Sequence, residues 1–379
     1  MPETVLILGA GYAGIGIAHK LPKDTRPKVE GLKVVLVSPN THHLWNIAVV
    51  RGIVPGQLSD DKLFHPIAPG FERYPASAFE FVLGSAILVD VPKGHVQVQT
   101  AETTKNIHYT HLVVATGSSY GSRVPFTSIG THRETCDALH DWQQKIGKAS
   151  SIVIAGAGPT GVETAAEIAH IYGQTKSITI VVPGDHPLPG LSSDVGKTAS
   201  NDLAKLNVKI ARQARVTNVQ YNVNQFTISL SSGETLKADL YLPLFGTKAN
   251  SDFLTSELLD ERGNLKLDSS LRATGFTNIW GAGDVGNLEP KQLIFAERQA
   301  LHLAGNLHAV LTKADNGVLP LRSIVTPQVF VTIGPNKGTG QYSRFQVPGF
   351  IVSMVKGKTL FTEKAPGLVA GKNIVRSTI

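Results

Sequence analysis

Three glycines recur at one spacing, first in Gly9-Ala10-Gly11-Tyr12-Ala13-Gly14 and again in Gly156-Ala157-Gly158-Pro159-Thr160-Gly161. Glycines so spaced serve one kind of chemistry. The first permits a tight turn, the second lets a pyrophosphate approach bare backbone, and the third lets a helix pack closely on a strand. The helix that follows offers free N–H groups and a partial positive charge to the phosphates. Two such turns imply two dinucleotides held at once, and the usual reason to hold two is to pass electrons between them.

Two further short motifs bear on the same chemistry. His111-Leu112-Val113-Val114-Ala115-Thr116-Gly117 reads as a strand ending in residues small enough to let the backbone lie against a cofactor. Ile279-Trp280-Gly281-Ala282-Gly283-Asp284 reads as a strand ending in a carboxylate, which can accept hydrogen bonds from the hydroxyls of a ribityl chain. In that order after a dinucleotide turn, they assign FAD to the turn at Gly9 and NAD(P)H to the turn at Gly156. Glu289-Pro290-Lys291 is expected to open a helix through about Leu311, with proline in the first turn. Its positive end and Lys291 would then face charge growing on a reduced flavin.

The elements that must position these residues are legible around them. Val5-Leu6-Ile7-Leu8 and Ile152-Val153-Ile154-Ala155 read as buried parallel strands ahead of each turn, with helices after them. Residues 22 to 31 read as a loop before the strand Lys33–Val37. That strand ends at Ser38, where an acid gripping a ribose is the norm, and the matching position of the second unit is Pro183. No acid repels an extra phosphate there and no arginine follows at once to attract one, so NADH and NADPH both stay open. Thr41 to Arg51 follows the second strand, beside the expected crevice, and makes Asn46 and Arg51 candidates for isoalloxazine or pyrophosphate contacts. From about Leu319 the chain alternates apolar and polar residues, with a hairpin or loop at 334–340 and a strand or short helix at 350–355.

Composition narrows the classes. The sequence has one cysteine, Cys136, so no intramolecular disulfide and no redox-active Cys-x-x-Cys can form. No apolar run is long enough to span a bilayer, and His42-His43 lacks metal-site spacing, so no metal is expected. The first strand begins near Thr4, and the expected location is cytoplasmic. The net charge of +7 resides in residues 313–379, where nine lysines and arginines, among them Lys337, Lys358, Lys364 and Arg376, face two carboxylates. Such a region could meet anionic lipid, nucleic acid or a cofactor phosphate, though charges this scattered also suit a plain solvated surface. A peripheral membrane contact stays open and nucleic acid is not expected.

The chain resembles the two-dinucleotide pyridine-nucleotide:flavin oxidoreductases, and within them the apoptosis-inducing-factor-like group that includes the ferroptosis suppressor and AMID-like proteins. The residues carrying the resemblance are the first glycine turn, His42-His43 to Arg51, Ala115-Thr116-Gly117, Gly161-Val162-Glu163, Gly283-Asp284 and Lys356-Gly357-Lys358-Thr359-Leu360-Phe361. The resemblance implies tightly bound FAD, NAD(P)H as electron donor and a quinone-type small-molecule acceptor. It also implies that Glu163 and Lys356 lie near the nicotinamide–flavin junction.

The expected fold is α/β, with two Rossmann-like dinucleotide-binding domains in a glutathione-reductase-like arrangement and a small C-terminal α+β region. FAD is expected on residues 1–120 and 245–315, NAD(P)H on 121–244, and a cover over the flavin and acceptor site on 316–379. Candidate catalytic residues are Glu163, Lys291 and Lys356. Candidate cofactor contacts are Gly9, Gly11, Tyr12, Ala13, Gly14, Ser38, Asn46, Arg51, Ala115, Thr116, Gly117, Gly283, Asp284 and Lys291 for FAD, and Gly156, Gly158, Pro159, Thr160 and Gly161 for NAD(P)H. A tailoring flavoenzyme of specialised metabolism is the alternative within the same scaffold. An NAD(P)H-responsive interaction protein with a basic C-terminal binding region is a more distant one. The oligomeric state stays open.

Overall fold

The computed structural model describes residues 2–315, 317–322 and 326–372; Arg376 of the basic region lies outside them. Two all-parallel sheets organise the chain. In the first the strand order is Ile279–Gly281, His111–Val114, Thr4–Leu8, Lys33–Ser38 and Phe79–Leu83. In the second it is Val208–Ala211, Ser177–Val181, Ser151–Ala155 and Leu240–Pro243. Thr4–Leu8 and Ser151–Ala155 are interior strands of their sheets, which is why both read as continuous apolar runs.

Each of these strands feeds a glycine turn and a helix, Tyr12–Lys20 in the first unit and Pro159–Tyr172 in the second. Where the chain passes between the sheets, Ser118–Tyr120 pairs antiparallel with Thr247–Ala249, so departure and return form one ribbon. Asn250 stitches the crossing: its side chain donates to the Thr116 carbonyl at 2.9 Å, and the Thr116 hydroxyl donates to the Asn250 carbonyl at 2.6 Å.

The C-terminal region forms an antiparallel sheet of Gln328–Thr332, Gly338–Tyr342 and Phe345–Val347. It packs on helix Pro159–Tyr172 and on helix Ser193–Lys205. A helical run, Gly349–Val352 continued by Ser353–Gly357, follows it.

Two local expectations are corrected. Residues 22 to 31 are not a plain loop: the first helix continues into helical turns at Leu21–Thr25 and Arg26–Lys28. Pro22 falls in the first turn of that continuation, where the missing N–H is tolerated. The helix expected from Glu289 begins instead at Leu293 and runs to Thr312, leaving Pro290 and Lys291 ahead of it. Gln292 takes the cap position in extended conformation.

Candidate functional site

The two glycine turns are built alike, residue by residue. Gly9 and Gly156 hold φ of +102° and +125°, a region that favours glycine, and a side chain on either would collide with the facing carbonyl of Ala115 or Leu244. A side chain on Gly14 or Gly161 would strike the carbonyl oxygen of Gly9 or Gly156, so the third glycine seats each helix on its own turn. The middle glycines, Gly11 and Gly158, have no protein atom within 4 Å of where a side chain would begin. That open space over free helix N–H groups is the cradle a pyrophosphate requires.

The first turn opens onto a cavity of about 800 Å³. Gly9, Gly11, Tyr12, Ala13, Ser38, Asn46, Ala115, Thr116, Gly117, Gly283, Asp284 and Lys291 all line it, whereas Gly14 lies behind the turn. Twelve of the proposed FAD contacts, drawn from widely separated stretches of sequence, therefore face one space. The parallel sheet brings them together because its strand ends converge on one edge.

Asp284 accepts a hydrogen bond from the Ser118 hydroxyl at 3.1 Å. Burial raises its carboxyl above the usual range, opposed by Ser118 and by the charge of Lys291. Burial likewise lowers the Lys291 ammonium, while Asp284 and Asp260 oppose the shift. The two groups form an acceptor and a donor at the end of the cavity where helix Leu293–Thr312 begins, and Leu293 and Ala296 of that helix line the same wall. The Tyr12 hydroxyl donates to Asn46 Oδ1 at 2.9 Å, fixing the tyrosine across the cavity.

His43 supports the first turn directly. Its Nδ1 lies 3.2 Å from the Ala10 carbonyl oxygen, and desolvation lowers its pKa to about 4, so the ring is neutral. With the proton assigned to Nδ1 for that bond, Nε2 is a buried acceptor with no protein partner among the described residues. His43 also lines the cavity. An open glycine cradle, a carboxylate beside a hydroxyl, and a buried acceptor without a protein partner suit a long polar cofactor with phosphates and hydroxyls.

Gly156, Gly158, Pro159, Thr160 and Gly161 lie outside this cavity, in the turn and helix start that follow strand Ser151–Ala155 of the second sheet. Tyr120 faces the cavity and stands near Thr160 of the second turn. Burial raises its phenol, and the nearby Thr160 side chain opposes that shift.

Glu163 and Lys356 meet. The Lys356 ammonium donates to Glu163 Oε1 at 2.6 Å and to the Phe330 carbonyl at 3.0 Å. Thr332 adds its backbone N–H at 2.8 Å and its hydroxyl at 3.1 Å to the same carboxylate oxygen. A buried pair is tolerable only when further bonds support it, and here Oε1 accepts from three donors while the ammonium reaches two acceptors.

Arg51 is corrected. It does not line the cavity, and its guanidinium is committed to the carboxylate of Glu167 at 2.8 Å and 2.9 Å and to the carbonyls of Gly357 and Lys358. Sequence reasoning also missed Ser118, Tyr120 and Gln299, whose side-chain oxygen accepts from the Gly283 N–H at 2.7 Å. Ser118 and Tyr120 directly follow Ala115-Thr116-Gly117, and that adjacency was the available signal. Gln299 gave none.

Comparison with known proteins places this geometry. The family model described as pyridine nucleotide-disulphide oxidoreductase matches residues 3–300. Oxidoreductase ptaL of Pestalotiopsis fici is 38% identical over 371 residues, covering 97% of this chain and 99% of its own. Ferroptosis suppressor protein 1 of Xenopus laevis is 26% identical, covering 95% and 94%. The solved sulfide:quinone oxidoreductase of Aquifex aeolicus shares the fold with a TM-score of 0.78 at 16% identity, covering 99% of this chain and 93% of that one. Together with the paired glycine cradles and the cavity between the strand ends, these matches carry the conclusion. The chain belongs to the pyridine nucleotide-disulphide oxidoreductase family, whose members are FAD-dependent and use NAD(P)H, and within it to the apoptosis-inducing-factor-like group.

Proposed function

We propose that the protein is an FAD-dependent oxidoreductase that takes electrons from NAD(P)H and passes them to a quinone-type acceptor. In this reading residues 1–120 and 245–315 hold FAD, residues 121–244 hold NAD(P)H, and residues 316–379 cover the acceptor side. The observation that carries it is the Glu163–Lys356 pair. One partner rises from the helix of the second turn and the other from the C-terminal region, which supports a role for the pair between the nucleotide and acceptor sides assigned in this reading.

FAD, when bound, supplies the electron chemistry. The chain's own residues bind and orient. The turn at Gly9 and the N-terminus of Tyr12–Lys20 hold the pyrophosphate, and Asp284, fixed by Ser118, accepts from the ribityl hydroxyls. Lys291 and the N-terminus of Leu293–Thr312 present positive charge where the reduced ring becomes negative. Glu163 places the nicotinamide, and Lys356 supplies a donor toward the acceptor side.

A quinone-type acceptor is supported by three facts. The sequence has one cysteine, so the disulfide chemistry in the family's name is not open to it within the chain. Ile294, in the first turn of helix Leu293–Thr312 and not among the residues lining the FAD cavity, is 42% exposed, an apolar surface that suits a planar apolar molecule. A structural neighbour is, by its title, a quinone oxidoreductase. The exposed Phe345, Phe350 and Met354, near Arg344 and Lys358, fit a peripheral membrane contact that would give access to such an acceptor. No helix among the described residues is long and apolar enough to cross a membrane.

The test is spectroscopic. Purified protein should show a flavin spectrum that bleaches under anaerobic NADH or NADPH. A colourless protein that takes up no FAD ends the reading. Bleaching followed by reoxidation with neither quinones nor oxygen would point instead to a dedicated small-molecule acceptor.

A further inference from the structure

Glu163 and Glu167 lie one helical turn apart on Pro159–Tyr172, both buried. Each is matched by a cation from elsewhere in the chain. Lys356 takes Glu163, and Arg51 takes both oxygens of Glu167. Arg51 also donates from Nη2 to the Gly357 carbonyl at 2.7 Å and from Nη1 to the Lys358 carbonyl at 2.9 Å. Those carbonyls stand at the C-terminal end of the helical run Gly349–Gly357, where partners within the helix run out and a cation is favoured.

The backbone that Arg51 grips is therefore the backbone next to Lys356. A lysine ammonium rides on a flexible four-carbon stem, so the position of its backbone decides what it can reach. From the same stretch of chain, Trp45 Nε1 donates to the Leu360 carbonyl at 2.9 Å and fastens the segment beyond Lys358.

We propose that Arg51 is a positioning residue for the Glu163–Lys356 pair: its planar fork locks the backbone at 357–358 onto the helix of the second dinucleotide turn and thereby sets Lys356 against Glu163. The inference rests on the role given to that pair under the proposed function. A lysine at position 51 keeps the charge that faces Glu167. It has no fixed fork to hold a carboxylate and two carbonyls together.

The test uses full-length, FAD-loaded Arg51→Lys with two readouts, one independent of activity. Without nucleotide, amide exchange over 356–360 should quicken by about tenfold or more as local opening becomes easier, with Thr4–Leu8 unchanged. Under saturating NAD(P)H, anaerobic flavin reduction should slow by about ten- to a hundredfold, the scale of a misplaced reacting group, with kcat falling more than KM changes. FAD content and full reduction by dithionite should match the unaltered protein. Glu167→Gln, which weakens the clamp from its other side, should reproduce both effects.

Unchanged exchange at 356–360, or an unchanged reduction rate in Arg51→Lys, overturns the proposal. So does a rate that falls only in proportion to lost FAD and lost melting temperature. An unaltered protein that neither nucleotide reduces would defeat the proposed function, while the exchange measurement would still decide the clamp.

Discussion

Glu163 Oε1 and Lys356 Nζ, 193 residues apart in sequence, stand 2.6 Å apart with side chains only 5% and 12% exposed. Removing one member leaves a buried charge without its partner, at a cost of about 3–5 kcal/mol, whereas removing both together is far cheaper. Lys356→Met should therefore lower the unfolding midpoint more than the double variant Glu163→Gln/Lys356→Met. Both should slow flavin reduction by NAD(P)H by about tenfold or more. Denaturant unfolding alongside stopped-flow reduction separates the two effects.

The glycine turns predict contrasting alanine variants. Gly14→Ala places a side chain on the Gly9 carbonyl and should misfold. Gly11→Ala meets no protein atom but fills the cradle, so the chain should fold and bind FAD weakly. Gly158→Ala should keep its FAD and raise the KM for NAD(P)H by about tenfold, the loss of one or two good contacts. FAD content after gel filtration and steady-state kinetics check each outcome.

How far the site was legible follows from how local its causes are. Each glycine turn is dictated by backbone contacts around one strand, turn and helix, so residue types alone reveal it. The Ala115-Thr116-Gly117 and Gly283-Asp284 ends were legible for the same reason. Arg51 was misread because its partners, Glu167 and the carbonyls at 357–358, come from distant chain, and nothing near position 51 announces them. A buried arginine next to a cofactor crevice and one committed to a carboxylate look alike in sequence. The helix expected at Glu289 started late because the proline rule only permits a helix start; here Gln292, extended at the cap, marks the start.

Two buried histidines predict an acid limb of stability. Burial lowers His43 and His19 from 6.5 to about 4. A depressed folded pKa means the unfolded chain binds the proton more tightly, so stability is intact above pH 6.5 and falls as pH drops toward 4. Each histidine contributes about 3 kcal/mol to that loss, because a tenfold difference in proton affinity between the folded and unfolded chain is worth about 1.4 kcal/mol. His43→Asn retains a donor near the Ala10 carbonyl but cannot titrate, and should remove its own share of the loss. Melting temperature followed from pH 7 to pH 4 reads it directly.

Cys136 should be dispensable for electron transfer. Burial and nearby carboxylates push its thiol up to about 11, which keeps it protonated and slow to alkylate at neutral pH. Cys136→Ala, and iodoacetamide treatment of the unaltered protein, should leave NAD(P)H-driven flavin reduction unchanged. A loss of activity under either would place the thiol in the electron path, contrary to this expectation.

The most direct test is double-mixing stopped flow without oxygen. Protein reduced by one equivalent of NADH or NADPH is mixed with a soluble quinone while flavin absorbance is followed. The expected result is rapid return of the oxidised spectrum with one quinol formed per nucleotide consumed, and a much slower return in Lys356→Met. A flavin that stays reduced in the presence of quinone, or that reoxidises without forming quinol, would contradict the proposed electron path.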